Sequence, residues 1–228
     1  MLHALISAEA LNITQETAQT FNKTKLFGPE YEDMFIDAIA AVGNYGEMYE
    51  RNYGGTLPRS RYNMINTGDS GLIVSDPLGT ILVDEESLHV EDLPIPIPNG
   101  TMEAVINRGY LLCGVILRVD NFDERPGFAQ YNRTTQEWSG LDVDYCRGLA
   151  ASVSGVWQPI DTAFVDLSDK RTRYVSLANK TVDVLAGDRV SLTTDVREPT
   201  TGKGFSFGTP YFYYETTGEA GGGGGGAR

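Results

Sequence analysis

Histidine is scarce in this sequence. Only His3, near the start, and His89, inside an acidic stretch, occur among 228 residues. Neither has a nucleophile placed to use it, so a Ser/His/Asp or Cys/His relay lacks its base. No Gly-x-x-x-x-Gly-Lys phosphate loop and no ligand cluster at metal spacing is present, which leaves no catalytic residue, metal ligand or cofactor to name and points away from an enzyme. Basic residues are outnumbered, 18 against 31 acids, for a net charge of −13. That balance repels phosphate backbones and anionic lipid heads and argues against nucleic acid as a partner. No apolar run reaches the roughly 18 residues that span a bilayer. Met1 to Glu9 has neither the basic start nor the apolar middle of a secretory leader, so the chain as given carries no address. The two cysteines, Cys113 and Cys146, are too few for a disulfide scaffold and form either one bridge or two buried thiols.

What is present is ordinary globular material, 41% hydrophobic and 21% charged, enough for one substantial core or two small ones. Asparagine is used unevenly. Five of the eleven asparagines, Asn12, Asn22, Asn99, Asn132 and Asn179, open an Asn-x-Ser/Thr sequon, where chance gives about one or two. This is the composition of a secreted, glycosylated chain, or of one simply rich in Asn and Thr at its polar turns.

Along the chain, Leu2, Leu5, Ile6, Ala8, Ala10 and Leu11 repeat at helical spacing. Met34, Phe35, Ala38, Ile39, Val42, Tyr45, Met48 and Tyr49 do so again up to Gly54-Gly55, which predicts amphipathic helices with a stop at the glycines. A shorter helical piece is expected from Arg59 to Ile65. Residues 76–100 are acidic and end in Pro94-Ile95-Pro96-Ile97-Pro98, a pattern that forbids helix and reads as an extended connector.

Beyond it the pattern alternates. Thr101 is placed to cap a helix from Met102 to Arg108 that Gly109 ends, and Leu111 to Leu117 is a short apolar run suited to a buried strand. Leu141 to Ser154 is a helix stopping at Gly155. Ser168 or Asp169 is placed to cap the next one, and Val182 to Ala186 and Pro210 to Tyr214 are further strands. Such an order predicts an α/β layer with parallel strands and right-handed crossovers. The glycine run in residues 218–228 has no side chains to pack and is expected to be disordered.

Several spaced segments resemble solute-binding protein family 3, the polar amino-acid-binding proteins of ABC transporters, and most of all its general L-amino-acid branch. Residues 101–217 resemble the family's beginning through Cys113-Gly114-Val115, Arg125-Pro126-Gly127-Phe128, Trp138-Ser139-Gly140-Leu141-Asp142-Val143-Asp144-Tyr145-Cys146-Arg147, Val182-Asp183-Val184-Leu185 and Phe205-Ser206-Phe207-Gly208-Thr209-Pro210-Tyr211. Residues 1–75 resemble the family's far end, above all Ala41-Val42-Gly43-Asn44-Tyr45-Gly46-Glu47-Met48-Tyr49-Glu50-Arg51-Asn52. The end therefore stands before the beginning and the middle is missing. The resemblance implies one lobe of a type II periplasmic-binding-protein fold, an α/β lobe with a mostly parallel sheet and helices on both faces, in permuted chain order. Either a true permutation or a fragment spanning the junction of tandem copies accounts for it.

The likeness also implies a site, an extracellular or periplasmic location, and partners: an amino acid, the missing second lobe or neighbouring repeats, and a membrane transporter. Thr194 and Arg197 resemble the family's Thr-x-x-Arg, with Thr at a helix start and Arg meeting the substrate α-carboxylate. A guanidinium fork, the helix dipole and the hydroxyls of Ser191 or Thr193 suit a carboxylate. Thr194 as a plain cap and Arg197 in a surface ion pair is the other reading. Leu192 departs from the pattern, because family members carry a hydroxyl residue five positions before that arginine. Phe128 resembles the region that packs over the ligand side chain, or is a core aromatic. Asp142 and Asp144, two apart at a helix start, are read as dipole-stabilised acids rather than a catalytic pair. Both cysteines fall where this branch often has cysteine, which implies a bridge. A ligand-free structural or surface-interaction module is the alternative to a binding lobe.

Overall fold

The structure is a computed structural model that describes residues 1–25, 27–64, 100–119, 123–124, 126–154, 160–188 and 211–212. The leading part is helical: α1 (Leu2–Ala10), α2 (Met34–Val42) and α3 (Tyr45–Tyr53). The pattern expected to run unbroken from Met34 to Tyr49 is interrupted at Gly43 and Asn44. There the Asn44 side chain accepts from the Glu47 N–H at 2.9 Å and the Glu47 carboxylate accepts from the Asn44 N–H at 2.8 Å. This reciprocal capping box satisfies two donors that a new helix would otherwise leave unpaired. Glu47 also accepts from the Gln15 N–H, and Asn44 donates to the Ile13 carbonyl, so the break in the helix anchors the loop after α1. The piece expected at Arg59 to Ile65 is a single 3-10 turn at Arg61–Asn63.

The second part opens with α4 (Thr101–Arg108) and β1 (Tyr110–Val115). Gly100, not Thr101, is the N-cap, and no side chain makes the cap bond; Thr101 is already helical. Gly109 ends the helix in the left-handed conformation, as its position foretold. Two small antiparallel pairs follow, β2 (Arg118–Val119) with β3 (Asp123–Glu124) and β4 (Gln130–Asn132) with β5 (Glu137–Ser139). Then come α5 (Leu141–Val153), β6 (Asp161–Asp166), α6 (Arg173–Ala178) and β7 (Val184–Leu185). The helix expected to begin at Ser168 or Asp169 begins at Arg173 with Thr172 as N-cap. Asp169 instead closes the preceding turn, accepting from the Arg171 and Thr172 N–H groups. Tyr211 and Phe212 are the described part of the strand expected at Pro210 to Tyr214, and they carry no regular structure.

A parallel sheet in the order β6-β1-β7 unites this half, with Cys113 opposite Phe164 on one side and Val184 on the other. Strand β1, the middle one, is buried from Cys113 to Val115, which is why it reads as a continuous apolar run. The crossover through α5 moves one way across the sheet and that through α6 moves back. Right-handed connections therefore place the two helices on opposite faces, and the α/β lobe with helices on both faces stands. The connector of residues 76–100 lies outside the described residues except for Gly100, and so does the tail of residues 218–228. No described helix is long and apolar enough to cross a membrane.

Two cores meet at α5. One gathers Leu5, Ile6, Ile36, Ile39, Val42, Tyr45 and Met48 of the leading helices with Leu141; the other gathers Leu111, Cys113, Val115, Val143, Cys146 and Ala150. Each fully buried Leu, Ile or Val contributes about 1.5 to 3 kcal/mol. Helix α2 crosses α5 closely at Gly148, where an added Cβ would meet Val42 at 3.0 Å. The joint is also polar. Asp144, nearly buried, accepts from Arg51 at 2.8 Å and from Asn52 at 2.7 Å, while Arg51 reaches the Val42 carbonyl. The leading helices thus rest on the later half of the chain.

Candidate ligand-binding edge

In a sheet of this kind ligands collect beyond the carboxyl ends of the strands, where successive connections leave for opposite faces. Here those ends are Val115, Asp166 and Leu185. The loops that leave them are bound to one another: the Leu167 N–H donates to Val115, Ala186 to Gly114, and the Arg118 N–H to the Ser168 hydroxyl at 3.0 Å. Asp166 accepts from the Ser168 hydroxyl and N–H.

Arg173 holds this edge together. Its side chain is 6% exposed and is spent in three directions: Nε to the Leu167 carbonyl at 2.9 Å, one terminal nitrogen to the Ser168 carbonyl at 3.1 Å, the other to Asp188 at 3.0 Å. A planar guanidinium spreads its donors over three nitrogens in a fixed fork that reaches all three acceptors, whereas an ammonium carries its donors on a single atom. The loop after β6 is thereby tied to the loop after β7. Tyr174 next door has its phenol pKa raised, chiefly by burial and then by the Asp188 charge. Nothing in the sequence pattern singled out Arg173; an arginine at the first helical position reads as a surface residue until its neighbours are known.

Ser191, Thr193, Thr194 and Arg197 lie outside the described residues. The described chain reaches Asp188, just ahead of them, having left the carboxyl end of β7 through Gly187.

Phe128 belongs to a different assembly. Its half-buried ring meets Phe212 edge-on at 4.8 Å and Tyr53 edge-on at 5.4 Å, and Phe212 stacks on Tyr49. The Phe128 loop is fixed to the start of α5 by two bonds, Leu141 N–H to Gly127 and Asp142 N–H to Phe128. Asp142 is fully buried and accepts from the Tyr211 hydroxyl at 2.6 Å; the Tyr211 ring stacks on Tyr145, and its carbonyl accepts from Tyr45. Burial raises the pKa of both Tyr45 and Tyr145. The acids at the head of α5 accordingly serve two separate joints, Asp142 toward Tyr211 and Asp144 toward α3. A cavity of about 230 Å³ lined by Tyr49, Glu50, Leu57, Pro58 and Arg59 lies elsewhere, with no lining residue from a strand end. Among the described residues no three His, Cys, Asp or Glu side chains are grouped to hold a metal ion.

Cys113 of β1 and Cys146 of α5 are joined by a disulfide with Cα atoms 6.3 Å apart, and both are fully buried. Closing a loop across their separation of 33 residues stabilises the chain by about 4 kcal/mol on the chain-entropy argument. Urea unfolding with and without a reductant should separate by that amount. Coincident curves for oxidised and fully reduced protein would show that the bridge contributes nothing.

Comparison with known proteins gives the family context. Over 119 residues, 52% of this chain, the sequence is 33% identical to a candidate amino-acid ABC transporter-binding protein, YhdW, of Escherichia coli, covering 30% of that protein. Over 118 residues it is 30% identical to the general L-amino acid-binding periplasmic protein AapJ of Rhizobium johnstonii, again covering 30% of it. The chain thus spans under a third of the length of these curated relatives. No family model and no solved structure gives a significant match. About half of this chain is homologous to amino-acid ABC transporter-binding proteins, in keeping with the resemblance to solute-binding protein family 3 that its motifs carry.

Proposed function

We propose that this chain is one lobe of an extracellular or periplasmic amino-acid-binding protein, part of a larger or tandem molecule, and that it binds rather than transforms its ligand. The observation that carries the reading is the identity to YhdW and AapJ over half the chain. The carboxyl edge of a parallel sheet, fastened by Arg173, supports it. In this reading the stretch after Asp188 brings Arg197 to the ligand's α-carboxylate as a bidentate fork. Thr194 starts the helix whose dipole favours the anion, and Ser191 and Thr193 complete the carboxylate's hydrogen bonds. Residues 1–75 complete this lobe, a second lobe supplies the partner for the α-ammonium group, and a membrane transporter receives the closed complex. Phe128 lines the ligand side chain. The engagement of its ring by Tyr53 and Phe212 favours the second reading, a lobe that serves as a structural or surface-interaction module.

A single lobe offers half a cleft, and affinity in a two-lobed binder comes from closure that removes water from both faces. Calorimetry with a panel of L-amino acids should therefore show weak or no binding to this chain alone. The parent protein with its second lobe should bind at micromolar concentration and lose at least a hundredfold on Arg197→Ala, the loss of a charge-assisted bidentate pair. A parent protein that binds no L-amino acid would leave the structural module as the surviving reading.

A further inference from the structure

We propose that Asn12, Asn22, Asn132 and Asn179 accept N-linked oligosaccharide when the chain enters a lumen holding an asparagine-directed transferase. Each begins an Asn-x-Thr sequon, completed by Thr14, Thr24, Thr134 and Thr181. The structure sorts the asparagines by this motif. All four described sequon asparagines are exposed, whereas among the described asparagines without the motif Asn44 and Asn63 are buried, Asn52 is half-buried in the Asp144 network and Asn107 alone is exposed. A glycan is bulky and fully hydrated, so its acceptor has to stand clear of the core.

The four stand at turns and element ends. Asn12 follows α1 with φ +55°, Asn22 follows the 3-10 turn Ala18–Thr20, and Asn179 is the C-cap of α6. Asn132 closes β4 at its turn, exposed, where its side-chain oxygen accepts from the Thr134 N–H at 2.9 Å. Because α6 runs back toward the start of β7, Asn179 lies at the end of the sheet opposite the candidate binding edge. The buried Cys113–Cys146 disulfide suits an oxidising compartment, whether a secretory lumen or a periplasm.

The transfer joins the asparagine amide nitrogen to the anomeric carbon of a sugar carried on a polyprenyl pyrophosphate. The carbon–oxygen bond to the pyrophosphate breaks, the amide proton passes to the transferase, and the lipid pyrophosphate departs. This inference stands apart from amino-acid binding and neither needs the other.

The test is to lead the full chain into the lumen of a eukaryotic secretory cell and treat the recovered protein with peptide N-glycosidase in oxygen-18 water, which marks each glycosylated asparagine as a labelled aspartate. Label is expected at the four positions and absent from Asn107. Asn132→Gln and Thr134→Ala should each remove the same single step in gel mobility. Protein retained inside the lumen is read in the same way, so poor secretion does not decide the outcome. Label at fewer than three of the four, with host glycoproteins labelled in the same cells, overturns the proposal.

Discussion

Gly140→Ala should lower stability by about 4 kcal/mol, the sum of a strained backbone at about 1 to 3 kcal/mol and the loss of two backbone hydrogen bonds at about 1 kcal/mol each. Gly140 sits at φ +128°, ψ +166° just ahead of α5, a region that residues with a Cβ do not occupy without strain. A Cβ there would meet the Phe128 carbonyl oxygen at 2.1 Å and its carbon at 2.5 Å. Both are backbone atoms and cannot swing aside. Relief requires the Phe128 loop to lift from the head of α5, which breaks the bonds from Leu141 and Asp142 and parts Phe128 from Tyr53 and Phe212. The melting temperature should fall by about 10 °C. A Gly140→Ala protein within 1 kcal/mol of the parent in urea would show that the glycine conformation is not required.

Removing the Arg173 guanidinium should be comparably severe. Arg173→Ala strips the guanidinium from Asp188, whose side chain is 16% exposed, and from the Leu167 and Ser168 carbonyls. Breaking such a buried pair costs about 3 to 5 kcal/mol, mostly because a charge is left behind in a poor solvent. Arg173→Lys restores the charge but not the three-way geometry and should recover only part of the loss. Exchange at the Gly187 and Asp188 amides should accelerate in both variants, because the loop they open has lost its tie to the loop after β6. The double replacement with Asp188→Ala should cost less than the sum of the single ones. An additive result, with exchange unchanged, would show that the pair does not hold the edge.

The contrast between what the sequence made legible and what it did not follows from physics. Strand β1 announced itself because a strand buried on both faces is apolar throughout, and the stops at Gly54 and Gly109 because glycine suits those helix ends: Gly109 is left-handed at φ +81°, and a Cβ at Gly54 would meet the Glu50 carbonyl oxygen at 2.2 Å. Strand β6 carries no such signature. At Asp161–Asp166 only the apolar stretch from Ala163 to Val165 sits inside polar residues, and its inner residues are half-buried at a sheet edge, so the periodic signal is weak. The break between α2 and α3 was hidden because the apolar spacing survives it; Asn44 and Glu47, three apart, were the available sign of a capping box. Asp142 and Asp144 looked like a matched pair of helix-start acids, and only tertiary structure tells that one meets Tyr211 and the other Arg51. Of the expected site, Arg197 and its hydroxyl neighbours lay in the family motif, whereas Arg173 emerged only from the fold, since a long-range bond to Asp188 leaves no local pattern.

The dependence of the leading helices on α5 bears on how the chain is made. Arg51 waits for Asp144, 93 positions later, and Val42 for Gly148. The leading helices pack partly on one another, but the flank of α2 and α3 that meets α5 is covered only once α5 itself has been synthesised. Contacts this distant along the chain form late and slowly, and uncovered apolar surface in the meantime invites self-association. The joint at Asp144 and Gly148 should therefore close after the leading helices have gathered among themselves.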